Sequence, residues 1–281
     1  MSEFAECSPN DSWHAPFSAV ACATFLVLLA LVGKAIAGSG EPDLRTIPAI
    51  AAVLEKGSAR AQQKAFASLG TRPGAEADRL LLAQFDRYLA GALPPALWLE
   101  LLEAAAKRDS AGLKARLAAH EREAAQSRDA LSRYRECLEG GDAAAGREIF
   151  TKKPEAGCIR CHRVEGEGGE IGPDLTALRQ VTDRVFILES IIDPNAVITS
   201  GFQNFLFTLK NGETLSGIVN LESSEELVVT SVVDGRKRTL KLADIAGRMP
   251  LPSAMPPGFG LTLGKRALRD LVEFLATIDQ P

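Results

Sequence analysis

The sequence predicts a mainly α-helical protein with a small β-sheet inserted in its C-terminal half, and three observations support this fold class. Between residues 43 and 140, apolar side chains recur at helical spacing, as in the row that ends at Phe85 and Leu89. From about residue 202 to residue 245 the apolar period changes to two, which is typical of strands. A final amphipathic helix is predicted over residues 262–277.

The composition is that of a globular protein. Of the 281 residues, 46% are apolar and 24% are charged, which allows a buried core and excludes disorder along the whole chain. The formal net charge of −4 gives a nucleic acid no general electrostatic attraction, so we expect no nucleic-acid partner. With 5 cysteines, 3 histidines and 3 methionines, a metal site has few side chains to draw on.

The segment 1–37 is interpreted as a signal peptide or membrane anchor. Residues 20–32, its most apolar part, match the hydrophobic region of a secretory signal and are shorter than a membrane span of about 20 residues. An Ala-Ile-Ala pattern predicts cleavage after Ala37, although the residues before the apolar run are acidic and include no Lys or Arg. We favour a cleaved signal over an uncleaved anchor or a start codon placed too early. The expected location is therefore periplasmic or otherwise exported, with membrane anchoring as the alternative.

Residues 38–140 form the predicted helical region. Gly- and Pro-rich breaks at residues 70–74, 91–95 and 108–110 divide it into four or five helices. The arrangement resembles the paired helices of HEAT repeats, and no repeated string fixes its period. The highly charged stretch 110–138 is predicted to be a long, solvated connecting helix.

A Gly-Gly-Asp sequence marks the next boundary, so residues 141–281 are predicted to be a separate domain. Asn211-Gly212 and Asp234-Gly235 are strong hairpin turns, and they predict a four-stranded antiparallel meander. The expected order is a short helix, a Gly-rich loop, a second helix, the meander, a Pro-rich loop and the last helix, at residues 143–151, 158–173, 182–192, 202–245, 250–257 and 262–277.

Cys158, Cys161 and His162 form the pattern C-x-x-C-H, which is the attachment pattern for c-type haem. The two thiols can bond to the two vinyl groups of one porphyrin, and the histidine then becomes the proximal iron ligand. A thioredoxin-like redox pair would need a βαβ setting, and a structural zinc site would need four ligands. A plain disulfide between the two cysteines stays open as an alternative. We predict one covalently bound haem c as the cofactor.

The second axial ligand of a haem iron in electron carriers is usually Met or His. The candidates are His120, Met249 and Met255, and each of the two methionines precedes a proline. Met255 is favoured because it lies closer to the C-terminal helix that should pack over the haem. The predicted iron ligands are thus His162 and Met255.

These features resemble class I c-type cytochromes. Gly146 and Phe150 lie on the first helix of the domain, Gly-Pro-Asp-Leu at residues 172–175 follows the haem motif, and Met-Pro precedes the last helix. The resemblance implies that the carbonyl group of Pro173 accepts a hydrogen bond from the imidazole of His162. It also implies that the first helix meets the last one near Leu271 and Phe274.

The sequence is also similar to the planctomycete-type haem-binding domain, a c-type cytochrome module with an inserted β region. The similarity covers about residues 141–278 and is carried by residues 166–169, 172–176, 188–198 and 253–256. It implies Met255 as the axial ligand. In related proteins this module ends larger, dehydrogenase-like chains that begin with a β-propeller. The sequence before residue 140 has too little β character for a propeller.

The function expected from these observations is electron transfer by an exported c-type cytochrome with one haem. The partners would be a periplasmic electron donor, such as a dehydrogenase on another chain, and an acceptor. We predict no catalytic residues, because no catalytic constellation is found apart from the haem. The alternatives are a peroxidase-like haem enzyme with an open iron site and an interaction scaffold with a structural haem.

Overall fold

The computed structural model describes residues 42–278, so the predicted leader lies outside the described part of the chain. Buried apolar side chains form three clusters, one around Phe66 and Phe85, one around Phe150 and Leu271, and one inside the sheet around Phe207. Within the described range, no helix is both long and apolar enough to span a membrane.

Five helices make up the first part of the described chain and enclose the first cluster. Thr46 and Ser58 cap the first two helices by accepting backbone N–H groups, and Pro95 begins a short 3-10 turn before the fourth. The number of helices agrees with the prediction, whereas their HEAT-like character stays a prediction. The helices are α1 (Ile47–Lys56), α2 (Ala59–Thr71), α3 (Ala75–Leu89), α4 (Trp98–Ala106) and α5 (Ala111–Gln126).

The prediction of one long helix over residues 110–138 is wrong in its second half. Helix α5 ends at Gln126, and two 3-10 turns follow at Ala130–Arg133 and Arg135–Cys137. The chain turns there because Leu131 and Cys137 are buried in the second cluster. That cluster thus takes residues from before the predicted boundary at residue 141, and the domain division stays a prediction.

The remaining helices enclose the second cluster. Asp142 and Asp183 cap α6 and α8 by accepting backbone N–H groups of their first turns. The last helix contains a kink at Gly264, whose φ is 74°. The helices are α6 (Ala143–Lys152), α7 (Leu178–Val181), α8 (Arg184–Ile192) and α9 (Phe259–Thr277).

Helices α6 and α9 cross in close contact at Gly146. A Cβ atom at this position would overlap the carbonyl oxygen of Asp270 and would lie 2.7 Å from Cβ of Phe274. The rings of Phe150 and Phe274 pack with centroids 5.7 Å apart, and Leu271 is buried in the same cluster. The first and last helices therefore meet where the resemblance to class I cytochromes implied.

The inserted sheet has five strands instead of the predicted four. A two-stranded hairpin comes before it, formed by β1 (Arg163–Val164) and β2 (Glu167–Gly168). In the larger sheet all neighbouring strands are antiparallel, in the order β6-β5-β4-β3-β7. Its strands are β3 (Asn204–Leu209), β4 (Thr214–Glu222), β5 (Glu226–Ser231), β6 (Lys237–Lys241) and β7 (Ile245–Pro250).

Strand β7 was missed because its sequence does not show the period of a strand. It pairs with β3 at the edge of the sheet, and most of its side chains are exposed. Arg248 stacks over Phe205 with its guanidinium carbon 4.1 Å from the ring centroid, and Pro250 ends the strand. Proline is tolerated at such an edge because no further strand needs its missing N–H. The insert thus extends to Pro250 and not only to residue 245.

A buried ion pair joins α4 of the helical region to α9. Arg269 donates from both terminal guanidinium nitrogens to the carboxylate of Glu100, each at 2.8 Å, and both residues are 3% exposed. Arg266 forms a second pair with Glu103. Breaking a buried pair on one side is strongly destabilising, since a charge is left without its partner. Helix α9 is therefore held from the helical region as well as by α6.

We predict that Gly146→Ala lowers the free energy of unfolding by about 1–3 kcal/mol, because the added methyl group forces α6 and α9 apart. Gly112→Ala in α5 is the matched control, since its new Cβ atom would lie 3.4 Å from Leu82, an ordinary contact. This control should be neutral or more stable by up to about 1 kcal/mol, as alanine favours helices. Denaturant unfolding of both variants tests the crossing, and equal effects would contradict it.

Candidate functional site

The two cysteines of the C-x-x-C-H motif lie on one tight turn. A 3-10 helix covers Cys158–Arg160 and begins after Gly157, whose φ of 57° is in the left-handed region. The backbone N–H groups of Cys161 and His162 both donate to the carbonyl oxygen of Cys158, at 3.1 and 2.9 Å. Both thiols are free and partly buried, so the structure contains no disulfide between them.

Burial keeps these thiols neutral. It raises the pKa of Cys158 to about 11 and also raises the pKa of Cys161. The third described cysteine, Cys137, is fully buried, and burial together with the charge of Glu136 raises its pKa to about 12. Reactive cysteines instead have a lowered pKa in a partly exposed, electropositive place. The raised pKa of both thiols thus differs from the lowered pKa that is typical of reactive cysteines.

The imidazole of His162 is fixed by the loop that follows it. Its Nδ1 lies 3.0 Å from the carbonyl oxygen of Pro173, which is the hydrogen bond implied by the resemblance to class I cytochromes. Gly172 packs on the ring, since a Cβ atom there would lie 2.5 Å from Cε1 and 2.7 Å from Nδ1. The N–H of Gly172 also donates to the carbonyl of Cys161 at 2.8 Å. Glycine at 172 thus allows the chain to approach the ring closely.

The proton arrangement of this ring follows from its surroundings. Burial lowers the pKa of His162, and the hydrogen bond to Pro173 acts in the opposite direction without outweighing it. The carbonyl oxygen can only accept, so Nδ1 carries the proton and donates it. The other ring nitrogen, Nε2, then has an unshared electron pair, which is the form of histidine that binds a metal.

The Gly-rich loop around the motif is held by its own hydrogen bonds and by the sheet. The backbone N–H of Glu165 donates to Oγ1 of Thr176 at 2.8 Å. Glu170 pairs with Arg163 and also accepts from Lys237 of β6, with Nζ and Oε2 2.8 Å apart. The sheet therefore contacts the loop that carries the motif.

The three candidates for the second iron ligand lie in different surroundings. Met255 is partly buried against the second cluster, as is Cys158. Met249 lies in the edge strand β7 opposite Leu206 and is 53% exposed. His120 lies in the helical region, where its Nδ1 is 3.2 Å from the hydroxyl of Tyr88. Met255, the methionine favoured from the sequence, therefore packs on the same apolar cluster as Cys158, whereas Met249 is largely exposed.

Two residues that contact the Met255 loop had no assigned role in the sequence analysis. Asn195 accepts the backbone N–H of Ser253 at 2.9 Å, and Asn204 donates to the carbonyl of Pro252 at 3.3 Å. Asn195 follows Asp-Pro at the end of α8, which is a local signal for a turn. Asn204 gave no signal, because one polar residue at the start of a strand is ordinary.

Within residues 42–278, no group of three or more His, Cys, Asp or Glu side chains is arranged to hold a metal ion. The structural zinc site considered as an alternative therefore has no ligand set in this part of the chain. The described arrangement consists of two thiols on one turn, an oriented imidazole and a methionine that packs on the same apolar cluster as Cys158.

One family model, described as Cytochrome c, matches residues 143–279. The match begins at the first residue of α6 and includes the cysteine turn, Pro173, the inserted sheet, Met255 and α9. No curated protein matches the chain.

We predict that Gly172→Ala displaces the imidazole of His162 and breaks its bond to Pro173, because the added methyl group would overlap the ring. Nitrogen NMR of labelled histidine should show that the Nδ1 proton exchanges rapidly in this variant and slowly in the unsubstituted protein. The control is Gly166→Ala, whose Cβ atom meets nothing within 4 Å although its φ of 84° adds strain. The Gly166→Ala control should lose stability without changing the Nδ1 signal. Slow exchange of the Nδ1 proton in Gly172→Ala would contradict the prediction.

Proposed function

We propose that the chain is an exported c-type cytochrome that holds one covalent haem and transfers electrons, because residues 143–279 match the Cytochrome c family model. The observation that carries the proposal is the oriented imidazole of His162, held by Pro173 directly after a turn that presents two free thiols. A histidine fixed through Nδ1 presents Nε2 in a defined direction, as an iron ligand requires.

The residues of the site fit a covalently attached haem. Cys158 and Cys161 would hold it through two thioether bonds, each formed when an S–H group adds across a vinyl group without losing any atom. His162 and Met255 would bind the iron, and the apolar cluster on which Met255 and Cys158 pack would exclude water. When bound, the haem supplies one-electron redox chemistry at its iron.

The side chains around the ligands have separate tasks. The carbonyl of Pro173 keeps the proton on Nδ1 of His162 and raises the basicity of Nε2. Gly172 lets the loop pack on the ring, and Met255 would supply a thioether ligand, which favours a high reduction potential. With both Met255 and His162 binding the iron, no position would remain for a substrate. This supports electron transfer over the peroxidase-like alternative.

We further propose that the protein acts in the periplasm and accepts electrons from a dehydrogenase on another chain. The apolar run before Ala37 and the need for covalent haem attachment support export. The planctomycete-type module is the proposed subfamily, because the inserted sheet lies between the haem motif and Met255. The HEAT-like helices would serve as a docking scaffold, and membrane anchoring by the leader is the alternative to cleavage.

The covalent site is tested by expressing the full chain with a c-type maturation system, followed by denaturation, reduction and alkylation. The peptide with Cys158 and Cys161 should carry one haem mass and resist alkylation. Cys137 is the internal control, since its buried thiol should react only after unfolding. Ascorbate should reduce the intact protein, and the protein should return to the oxidised form without loss of haem.

Two results would contradict the proposal. Alkylation of both Cys158 and Cys161 in protein from the maturation system would exclude covalent haem at this motif. High-spin haem in the untouched protein, with rapid turnover of peroxide, would favour the peroxidase-like enzyme over the electron carrier.

A further inference from the structure

The loop that carries Met255 is tied to the end of helix α8. Ser253 donates its backbone N–H to Oδ1 of Asn195 at 2.9 Å, and its own Oγ accepts the backbone N–H of Met255 at 3.2 Å. Asn195 is held in turn, because its N–H donates to Oδ1 of Asp193 at 3.3 Å. The backbone of Met255 is thus connected to α8 through a short chain of hydrogen bonds.

The same loop is tied to the sheet from its other side. Asn204, the first residue of β3, donates from Nδ2 to the carbonyl of Pro252 at 3.3 Å and accepts at Oδ1 from the hydroxyl of Ser216 at 3.0 Å. Because Ser216 occupies the oxygen of this amide, the nitrogen is directed to Pro252. Asn204 is 6% exposed, so a lost partner would leave a buried polar group unsatisfied.

Leu251 completes the attachment between strand β7 and the methionine loop. Its N–H donates to the carbonyl of Asn204 at 2.9 Å, and its carbonyl accepts from Nε2 of Gln203 at 2.8 Å. Protein groups therefore bind the backbone at Leu251, Pro252, Ser253 and Met255. A segment that only connects a strand to a helix could leave these groups to water, so the attachment points to a need for a fixed loop.

We propose that Asn195 and Asn204 are positioning residues for Met255, and that their amides set how readily the methionine leaves the iron. The inserted sheet then has a task within the electron-transfer site, because its first strand anchors the ligand loop through Asn204. This inference rests on the proposed function, in which Met255 is an axial ligand.

The test measures how tightly added imidazole binds to the oxidised, haem-loaded full chain, because imidazole can bind only where the methionine has left. Its apparent affinity rises in proportion to the population of the released loop. Loss of one hydrogen bond should raise that affinity roughly five- to tenfold. The far-red absorption band of Met ligation is followed in the same titration.

Four substitutions make the test specific. Asn195→Ala removes the acceptor for Ser253 and should raise the imidazole affinity. Asn195→Asp keeps an acceptor oxygen, so its imidazole affinity should equal that of the unsubstituted protein. Asn204→Asp keeps the size and the acceptor but loses the donor to Pro252, so it should also raise the affinity. Asn211→Ala is the control, since it removes an equivalent 2.9 Å bond, from the N–H of Glu213, in a distant hairpin turn.

The outcomes separate this inference from the proposed function. Met255→Ala should abolish the far-red band and bind imidazole most tightly, and a band that persists in this variant would refute Met255 as the ligand. If Met255→Ala behaves as expected but Asn195→Ala binds imidazole no better than Asn211→Ala, the positioning role is wrong. Because Asn195 is exposed, its variants should fold, and they test the proposal even if Asn204→Asp does not fold.

Discussion

The close crossing of α6 and α9 at Gly146 is the constraint on which the rest of the site depends. Only the absence of a side chain lets the carbonyl of Asp270 approach the first helix so closely, and Phe150 and Phe274 then pack beside the contact. Helix α6 leads into the cysteine turn, and α9 begins shortly after Met255. One contact between two helices thus fixes the chain at both ends of the site, although it contributes no ligand.

The helical region and the inserted sheet also hold the C-terminal side of the site in place. The helical region holds α9 through the buried pair of Glu100 and Arg269, and the inserted sheet holds the loop before α9 through Asn204. Such polar contacts fix the relative position of the two partners, since a buried polar group that loses its partner destabilises the fold. The sheet therefore holds the loop that carries Met255, and the helical region holds the helix after it.

The turn of the motif was predictable from the sequence because it is encoded at short range. Cys158 and Cys161 stand within a few residues of His162, and their spacing predicts haem attachment. The bond from His162 to Pro173 was expected from the resemblance to class I cytochromes. Strand β7 was missed because an exposed edge strand shows no alternation, and a Pro-rich stretch suggests a loop. The pairing of Glu100 with Arg269 joins two helices that are far apart in the sequence, so no local sequence pattern predicts it.

The central claim is that the fold presents Met255, and not Met249, to the iron. Methyl NMR of the reduced full chain, labelled at methionine and assigned by Met→Leu substitution, tests it most directly. The account predicts that the methyl signal of Met255 is shifted strongly upfield by the porphyrin ring current. Met249, which is half exposed in β7, should give an ordinary signal. An upfield signal from Met249, or an ordinary signal from Met255, would contradict the account.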